Sequence, residues 1–468
     1  MSNISHLFYF ILIIAIMNNK FMKQIEALDI LKSGYNTFLT GPPGSGKTFL
    51  LNKYIEYLKK NNVVVSITAS TGIAATHMGG TTLHSWSGLG IREEIDNAEA
   101  RKICEKGYVR GRIKNTSVLI INEISMIKPS QFEAVNKICQ FAKRSLKPFG
   151  GIQIVCSGDF FQLPPVEKDR PTNNSSTTKF VNDAEAWKQM EMKICYLDEQ
   201  HRTKDKKLNK ILNHIRDDEA EKSKALLFKS IENPTSPRLR GTSKFFTRLY
   251  THNVDVDSIN YFELAKIKGK EYHYQMTWRG NPVVAEILKK SCLAPEKLIL
   301  KEGAEVMFIK NNFEAGYVNG TQGKIIGFAA GDLPIVKTED GKRIIVTYAD
   351  WSIEEENILV AAITQLPLRL AWAITVHKSQ GMNLNSAEID LSKCFLEGMG
   401  YVALSRLRSL KGLRLMGINN LAFCVNKRAI EIDKDFKKLS KKSSAELKKI
   451  PGSAIKKRQN LFLKYLGS

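Results

Sequence analysis

Between Gly41 and Thr48 the chain reads Gly41-Pro42-Pro43-Gly44-Ser45-Gly46-Lys47-Thr48, a glycine-rich run closed by a lysine and a hydroxyl. Glycines so spaced let backbone N–H groups curl around phosphates, the lysine reaches the terminal oxygens, and the hydroxyl ligates a divalent cation. The run lies between a strand-like segment, Thr37 to Thr40, and a helical pattern from Lys47 to Lys60, so bound phosphates would also meet a helix N-terminus. Further along, Val118 to Ile121 is a run of four aliphatics ending on Asn122 and Glu123. A carboxylate at the C-terminal end of a buried parallel strand, beside a phosphate loop, is placed to orient and deprotonate an attacking water. Hydrolysis of a nucleoside triphosphate is the chemistry these types and spacings support.

Such a site needs a parallel sheet behind it. Val63 to Thr68 and Ile152 to Cys156 read as further buried strands alternating with helical segments, an α/β pattern covered on both faces. The charged stretch Arg92 to Lys114 interrupts this first lobe, and polar stretches at Pro171 to Thr178 and Asn233 to Ser243 read as mobile loops. From Ala304 to Thr347 come short, glycine-punctuated strands (Lys324 to Phe328, Pro334 to Thr338, Arg343 to Thr347), the signature of a small all-β module. The second α/β lobe resumes from Leu368 to Met416, and Asn319-Gly320 carries the chemistry of a tight β turn.

The 468 residues carry 70 Lys and Arg against 47 Asp and Glu, a net +23, with 43% apolar residues. That composition excludes a disordered chain and a multi-span membrane protein, and the excess charge points to a polyanion, nucleic acid ahead of a membrane surface. Leu7 to Met17 is an apolar run well short of the roughly 20 residues a spanning helix needs, so residues 1–21 are expected to be an overlong start or a loose extension outside the fold, a membrane anchor being the lesser alternative, and no membrane partner is expected. Seven scattered cysteines suggest reduced thiols and a cytoplasmic protein, not a disulfide framework or zinc site.

Eight segments occur in order: GPPGSGKT, TASTGIAA (68–75), GGTTLHSWSG (79–88), NEISMI (122–127), GDFFQLPPV (158–166), HRT (201–203), TVHKSQG (375–381) and YVALSRLRS (401–409). Together they resemble the Pif-type helicases of the superfamily 1B branch, related to the RecD-like enzymes, over most of the chain from about Gln24 to Met416. The resemblance implies two RecA-like lobes, residues 22–200 and 201–420, with a helical wedge subdomain at about 88–115 and an SH3-like barrel at about 311–366. A basic tail, 421–468, follows.

By the same resemblance Gln24 meets the adenine, while Gly41 to Thr48 with Phe49 hold the phosphates of ATP, Thr48 and Asn122 serving Mg²⁺. Glu123 activates water, Asp159 and Gln162 sense the γ-phosphate between the lobes, and Arg202 and Arg406 reach in from the second lobe as clamps, with Gln380 and Gly381 beside them. Thr68, Ser70, Thr71, Gly72, His84, Trp86, Phe160, Thr375, His377, Lys378 and Gln380 are assigned to a single strand of DNA. Trp86 and Phe160 are either stacking rings or core aromatics.

The implied activity is ATP-dependent 5′-to-3′ translocation on single-stranded DNA with unwinding of tailed duplexes, a monomer by default, in repair, recombination, replication or telomere maintenance. The alternative is an ATP-switched single-strand clamp with weak or no unwinding, favoured by Asn122 where family members carry Asp. The tail holds 13 Lys and Arg against 4 Asp and Glu, including Lys437, Lys438, Lys441, Lys442, Lys448, Lys449, Lys456, Lys457 and Arg458. It is expected to be a salt-sensitive DNA tether or a solvated helix, so that removing residues 430–468 spares the ATPase site.

Overall fold

The computed structural model describes residues 22–76, 78–90, 92–165, 178–232, 247–251, 256–312, 314–355 and 358–467. The extension at 1–21 and nearly all of both expected mobile loops therefore lie outside the described residues.

The first lobe is built on six strands: β1 (Thr37–Thr40), β2 (Val65–Ala69), β3 (Thr81–Thr82), β4 (Val118–Asn122), β5 (Gln153–Ser157) and β6 (Lys193–Tyr196). They lie in the order 3-2-4-5-1-6 and every pairing is parallel. Every residue of β1, β4 and β5 is buried, which is what a parallel sheet covered on both faces imposes and why these strands read as unbroken apolar runs. One face is covered by α1 (Gln24–Lys32) and α2 (Lys47–Lys60), whose Leu50, Leu51, Tyr54 and Leu58 sit one helical turn apart and pack with Leu39, Ile120 and Val155. The short α3 (Gly72–Thr76) follows β2.

The charged insertion forms α4 (Asn97–Glu105) and α5 (Gly107–Asn115), which pack on α6 (Pro129–Lys143). Asp96 starts α4 with a capping box, accepting from the Glu99 N–H at 2.7 Å while Glu99 bonds back to the Asp96 N–H. Ala100, Ile103, Val109 and Ile113 are the apolar face that joins the lobe's core.

A linker and α7 (Lys206–Arg216) lead to the second lobe, where β7 (Thr247–Tyr250), β8 (Ala373–Thr375), β9 (Ala387–Leu391) and β10 (Leu413–Ile418) form a second parallel sheet in the order 8-7-9-10. Two RecA-like lobes are thus present. Between β7 and β8 runs an antiparallel module spanning Tyr272 to Leu370, which extends beyond both the Ala304 to Thr347 strand pattern and the 311–366 that the resemblance implies. It comprises a five-stranded sheet, a three-stranded sheet covered by α8 (Pro282–Ser291), and the ladder between Tyr272–Gln275 and Lys297–Leu300. Its early strands escape pattern reading because Thr277–Gly280 is wholly exposed and only Tyr274 is buried in Tyr272–Gln275. Gly320, at φ +91°, brings the Asn319-Gly320 turn against the backbone of Asn383, so closely that a side chain there would collide with it.

The tail corrects its expectation. Residues 427–448 and 452–467 form helices α9 (Lys427–Lys448) and α10 (Gly452–Gly467), which return to the first lobe and dock on β6 and α1. Phe436 meets the rings of Phe38 and Phe160 at 5.1 and 5.6 Å, Ser440 Oγ accepts the Tyr196 N–H at 2.9 Å, and Glu446 pairs with Lys193 at 2.7 Å. From α10, Arg458 donates to the Ser33 carbonyl at 3.1 Å and stacks over Tyr35. The lysines stand on the outer face, with Lys434, Lys438, Lys441, Lys442 and Lys449 exposed. Removing residues 430–468 would therefore strip the first lobe of core, and cannot be a neutral truncation.

Candidate nucleotide site

The phosphate loop leaves β1 and enters α2 with Gly41, Gly44 and Gly46 all at positive φ. A Cβ on Gly41 would enter the Leu197 carbonyl, one on Gly44 would meet the Arg202 side chain, and one on Gly46 would meet the Gln24 amide. The loop is thus enclosed by two other segments, the linker after β6 and the start of α1, and its glycines are required by close approach as well as by turn geometry. Lys47 donates to the Gly41 and Pro42 carbonyls of its own loop at 2.7 and 3.0 Å. Thr48 and Phe49 are exposed, while Ser45 Oγ is buried without a hydrogen-bond partner.

Gln24 lies against the phosphate loop, its Nε2 within 3.1 Å of His201 Nε2 and 3.5 Å of the Ser45 carbonyl. Glu123 follows β4 in the left-handed region, at φ 52° and ψ 47°. Burial raises its carboxyl above the usual range, opposed by Lys47 and Arg406. Asn122 is buried, and its carbonyl accepts the Ser70 N–H at 3.2 Å. From the second lobe, Gln380 Nε2 donates both to Gln162 Oε1 at 3.1 Å and to Glu123 Oε2 at 3.4 Å. One lobe's glutamine thereby ties together Glu123 and Gln162 of the other. Gly381 follows, exposed, at φ +82°.

Arg406 donates from Nε to the Val402 carbonyl at 2.9 Å, and Nη2 lies 2.7 Å from Ser405 Oγ. Arg202 does not reach in from the second lobe as expected. It lies on the linker after β6, where the His201 N–H donates to the Gly44 carbonyl at 2.9 Å, and Arg202 Nη1 donates to the Ser405 carbonyl at 3.1 Å. It therefore bridges phosphate loop and second lobe. Burial lowers Lys47 to about 8, Arg202 to about 9 and Arg406 to about 10, an excess of buried positive charge that fits a polyphosphate.

Asp159 also departs from its assignment. Both its oxygens accept from Arg216 Nη1, at 2.8 and 2.9 Å, and Tyr401 OH lies 3.2 Å away. Its carboxylate is committed to a buried network, and Gln162, three residues on, is the group of this loop that faces Glu123 through Gln380. Sequence reasoning missed Arg216, Tyr196, Tyr401 and Asp433. Only the apolar spacing of α7, which buries Leu208, Ile211, Leu212 and Ile215 on Arg216's side, hints that this arginine is inside.

Of the residues assigned to a DNA strand, three are core. Thr68 is fully buried and donates to the Ile120 carbonyl at 2.7 Å. Trp86 is 2% exposed, packed in the lobe's core with its indole N–H unbonded. Phe160 is 4% exposed and stacks on Phe180 at 4.9 Å. None offers a face to a base. Ser70, Thr71 and Gly72 remain at the C-terminal end of β2, and Thr375, His377 and Lys378 at the C-terminal end of β8, the edge at which open parallel sheets bind ligands. Thr375 itself is buried and caps the turn, its Oγ1 accepting the Lys378 N–H at 3.2 Å. His84 is partly buried, and burial lowers its imidazole.

A phosphate loop on one RecA-like lobe, with an arginine and a glutamine supplied by the other, defines a two-lobed P-loop ATPase of the motor class. Residues 16–226 match the model of PIF1-like helicases, and residues 284–328 match that of the DNA helicase Pif1 2B domain. The ATP-dependent DNA helicase Pif1 of a Psychrobacter species is 41% identical over 94% of this chain and 75% of its own length. The human ATP-dependent DNA helicase PIF1 is 34% identical over 87% of this chain, which spans 62% of that protein. The chain belongs to the PIF1-like helicase family. Among solved structures, Bacteroides Pif1 with ADP-AlF4 matches at a TM-score of 0.73, 29% identity, 88% of this chain and 96% of that one. A Pif1 helicase from Bacteroides with ADP-AlF3 and single-stranded DNA matches at a TM-score of 0.58, with 28% identity over 89% of this chain and 96% of that one.

Proposed function

We propose that this chain is an ATP- and Mg²⁺-dependent DNA helicase that binds single-stranded DNA across both lobes and steps 5′ to 3′, opening tailed duplexes. The carrying observation is Gln380, which links the second lobe to Glu123 and Gln162 of the first. Through this contact a change at the γ-phosphate is felt by the strand-bearing lobe, since His377 and Lys378 lie in the same turn as Gln380. The direction of stepping rests on the family resemblance.

In hydrolysis, Glu123 accepts the proton of the attacking water, and Lys47, Arg202 and Arg406 neutralise charge spreading over the transferring phosphoryl group. Arg406 is the second-lobe member of this pair, and Arg202 on the linker bonds the Ser405 carbonyl beside it, so separation of the lobes withdraws Arg406, breaks that contact and couples hydrolysis to closure. Thr48 and Asn122 would hold Mg²⁺, whose chemistry is to neutralise the β and γ oxygens. Among the described residues no cluster of three acidic, His or Cys ligands exists, so the metal would be held mainly through the nucleotide. Ser70, Thr71, Gly72, His84, His377 and Lys378 form the strand track, reading backbone by hydroxyls, amides and charge, without the Trp86 and Phe160 stacking expected from sequence.

The greater likeness to the Bacteroides Pif1 structure with ADP-AlF4 than to the one with single-stranded DNA suits an arrangement that changes when a strand is engaged. Replacing Lys47 by Ala should abolish ATP hydrolysis while leaving single-strand binding largely intact. Normal hydrolysis by that variant overturns the site assignment. DNA stimulation of the wild-type ATPase separates the motor from an ATP-switched clamp, which would show little.

A further inference from the structure

Beneath the nucleotide site lies a buried polar network that joins five segments of the chain. Arg216, at the end of α7, places Nη1 on both Asp159 oxygens and 2.8 Å from Tyr401 OH, and Nη2 on Tyr196 OH at 2.9 Å and Asp433 Oδ1 at 3.0 Å. Tyr196 OH lies 3.4 Å from Asp433 Oδ2, where Lys437 also arrives at 2.8 Å. The side chains of Arg216, Asp159 and Asp433 are 5%, 1% and 9% exposed. Asp159 belongs to the sensor loop, Tyr196 to β6, Tyr401 to the second lobe and Asp433 to the C-terminal helix α9.

We infer that Asp433 and Arg216 are positioning residues of the ATPase, through which α9 holds the Asp159–Gln162 loop at the distance Gln380 and the γ-phosphate require. The inference rests on the functional reading above, in which Gln162 faces the nucleotide. The geometry supports it in three ways. Arg216 is gripped at both ends of its guanidinium, so its orientation is fixed by Asp433 as much as by Asp159. Burial opposes the Arg216 charge, but Asp159, Tyr196, Tyr401 and Asp433 together hold its proton firmly. And Asp159 anchors its own loop, its carbonyl accepting the Gln162 N–H at 3.0 Å and its Oδ1 the Phe161 N–H at 3.3 Å, while Arg216 lies 4.0 Å over the Phe161 ring. Loss of the Asp433 charge frees one end of Arg216, and the loop that carries Gln162 loses its fixed support.

The test compares Asp433→Asn with Ser440→Ala in the full chain. Ser440 docks the same helix on β6 by accepting the Tyr196 main-chain N–H, not by bonding the Tyr196 hydroxyl that joins the network. For Asp433→Asn the expected result is a DNA-stimulated kcat lowered about tenfold with KM for ATP within about twofold, because Gln24 and the phosphate loop are untouched. Ser440→Ala should lose thermal stability without that split. Adding Asp159→Asn to Asp433→Asn should lower kcat no further than Asp159→Asn alone. Tyr196→Phe, measured in parallel, removes only a hydroxyl and should give the same split at smaller size even where Asp433→Asn does not fold. Wild-type kcat in both Asp433→Asn and Tyr196→Phe, or equal kcat losses in Asp433→Asn and Ser440→Ala, overturns the inference. A wild-type chain that hydrolyses no ATP overturns the functional reading instead.

Discussion

Replacing Phe436 by Ala is the most direct check on where the C-terminal residues belong. Phe436 projects from α9 into the first lobe, 6% exposed, with ring centroids 5.1 Å from Phe38 and 5.6 Å from Phe160. Truncating a buried phenylalanine costs about 3–5 kcal/mol, lost transfer energy plus the cavity left behind. The two tilted ring contacts place this site toward the upper half, about 4 kcal/mol. For a unit of 150–250 residues, each kcal/mol moves the melting midpoint by roughly 2–4 °C, so the first-lobe transition should fall by about 10 °C. Scanning calorimetry with and without a slowly hydrolysed ATP analogue reads this, because ligand stabilisation marks which transition contains the nucleotide site. Leu439→Ala is the internal control: that side chain, on the same helix, is 46% exposed, and its loss should cost no more than about 0.5 kcal/mol. A Phe436→Ala shift no larger than that of Leu439→Ala would refute the packing argument and restore the tail as a loose tether.

The pH profile should show both flanks of the site. Burial raises the Glu123 carboxyl, so as pH falls Glu123 takes up its proton, and kcat should decline at a higher pH than an ordinary carboxylate allows. Burial also lowers Lys47 to about 8, so as pH rises past that value the ammonium is lost and KM for ATP should climb. A kcat flat down to about pH 5 would contradict the first, given the usual glutamate value of about 4.3, and a constant KM through pH 9 the second. Asn122 offers a hydrogen-bond acceptor to the metal's water shell but no charge, so turnover should be slow and Mg²⁺ dependence weak. Asn122→Asp should tighten apparent Mg²⁺ affinity in an ATPase titration, and an unchanged affinity sinks that account.

Much of the catalytic half was readable from the chain alone. The phosphate loop, β1 and α2 stand where the motif and its flanking periodicity place them, and Glu123 leaves the strand that the four aliphatics announce. Gln24, although distant in sequence, was legible only through resemblance, and the structure puts it on the loop. The strand track was less legible. Trp86 and Phe160 carry side chains that suit either a base or a core, and nothing local tells which way a ring faces. Strand β6 was missed because its four residues follow a charged, turn-rich stretch. The β module was underestimated because its early strands bury almost nothing.

What the sequence by itself determined is the chemistry that needs neighbours along the chain: glycines at positive φ, a lysine opening a helix, a carboxylate at a strand's end. The first two requirements are met within the eight residues Gly41 to Thr48 and the third within the six from Val118 to Glu123, by backbone geometry that local composition dictates. Tertiary structure alone decided that Asp159 pairs with Arg216, that Arg202 lies on the linker, and that Phe436 and Asp433 complete the first lobe from its far C-terminal side. Whether a charge is solvated or paired, and whether a ring is inside or out, depends on what packs against it from hundreds of residues away. That information is carried by the fold's closure and not by any window of the sequence.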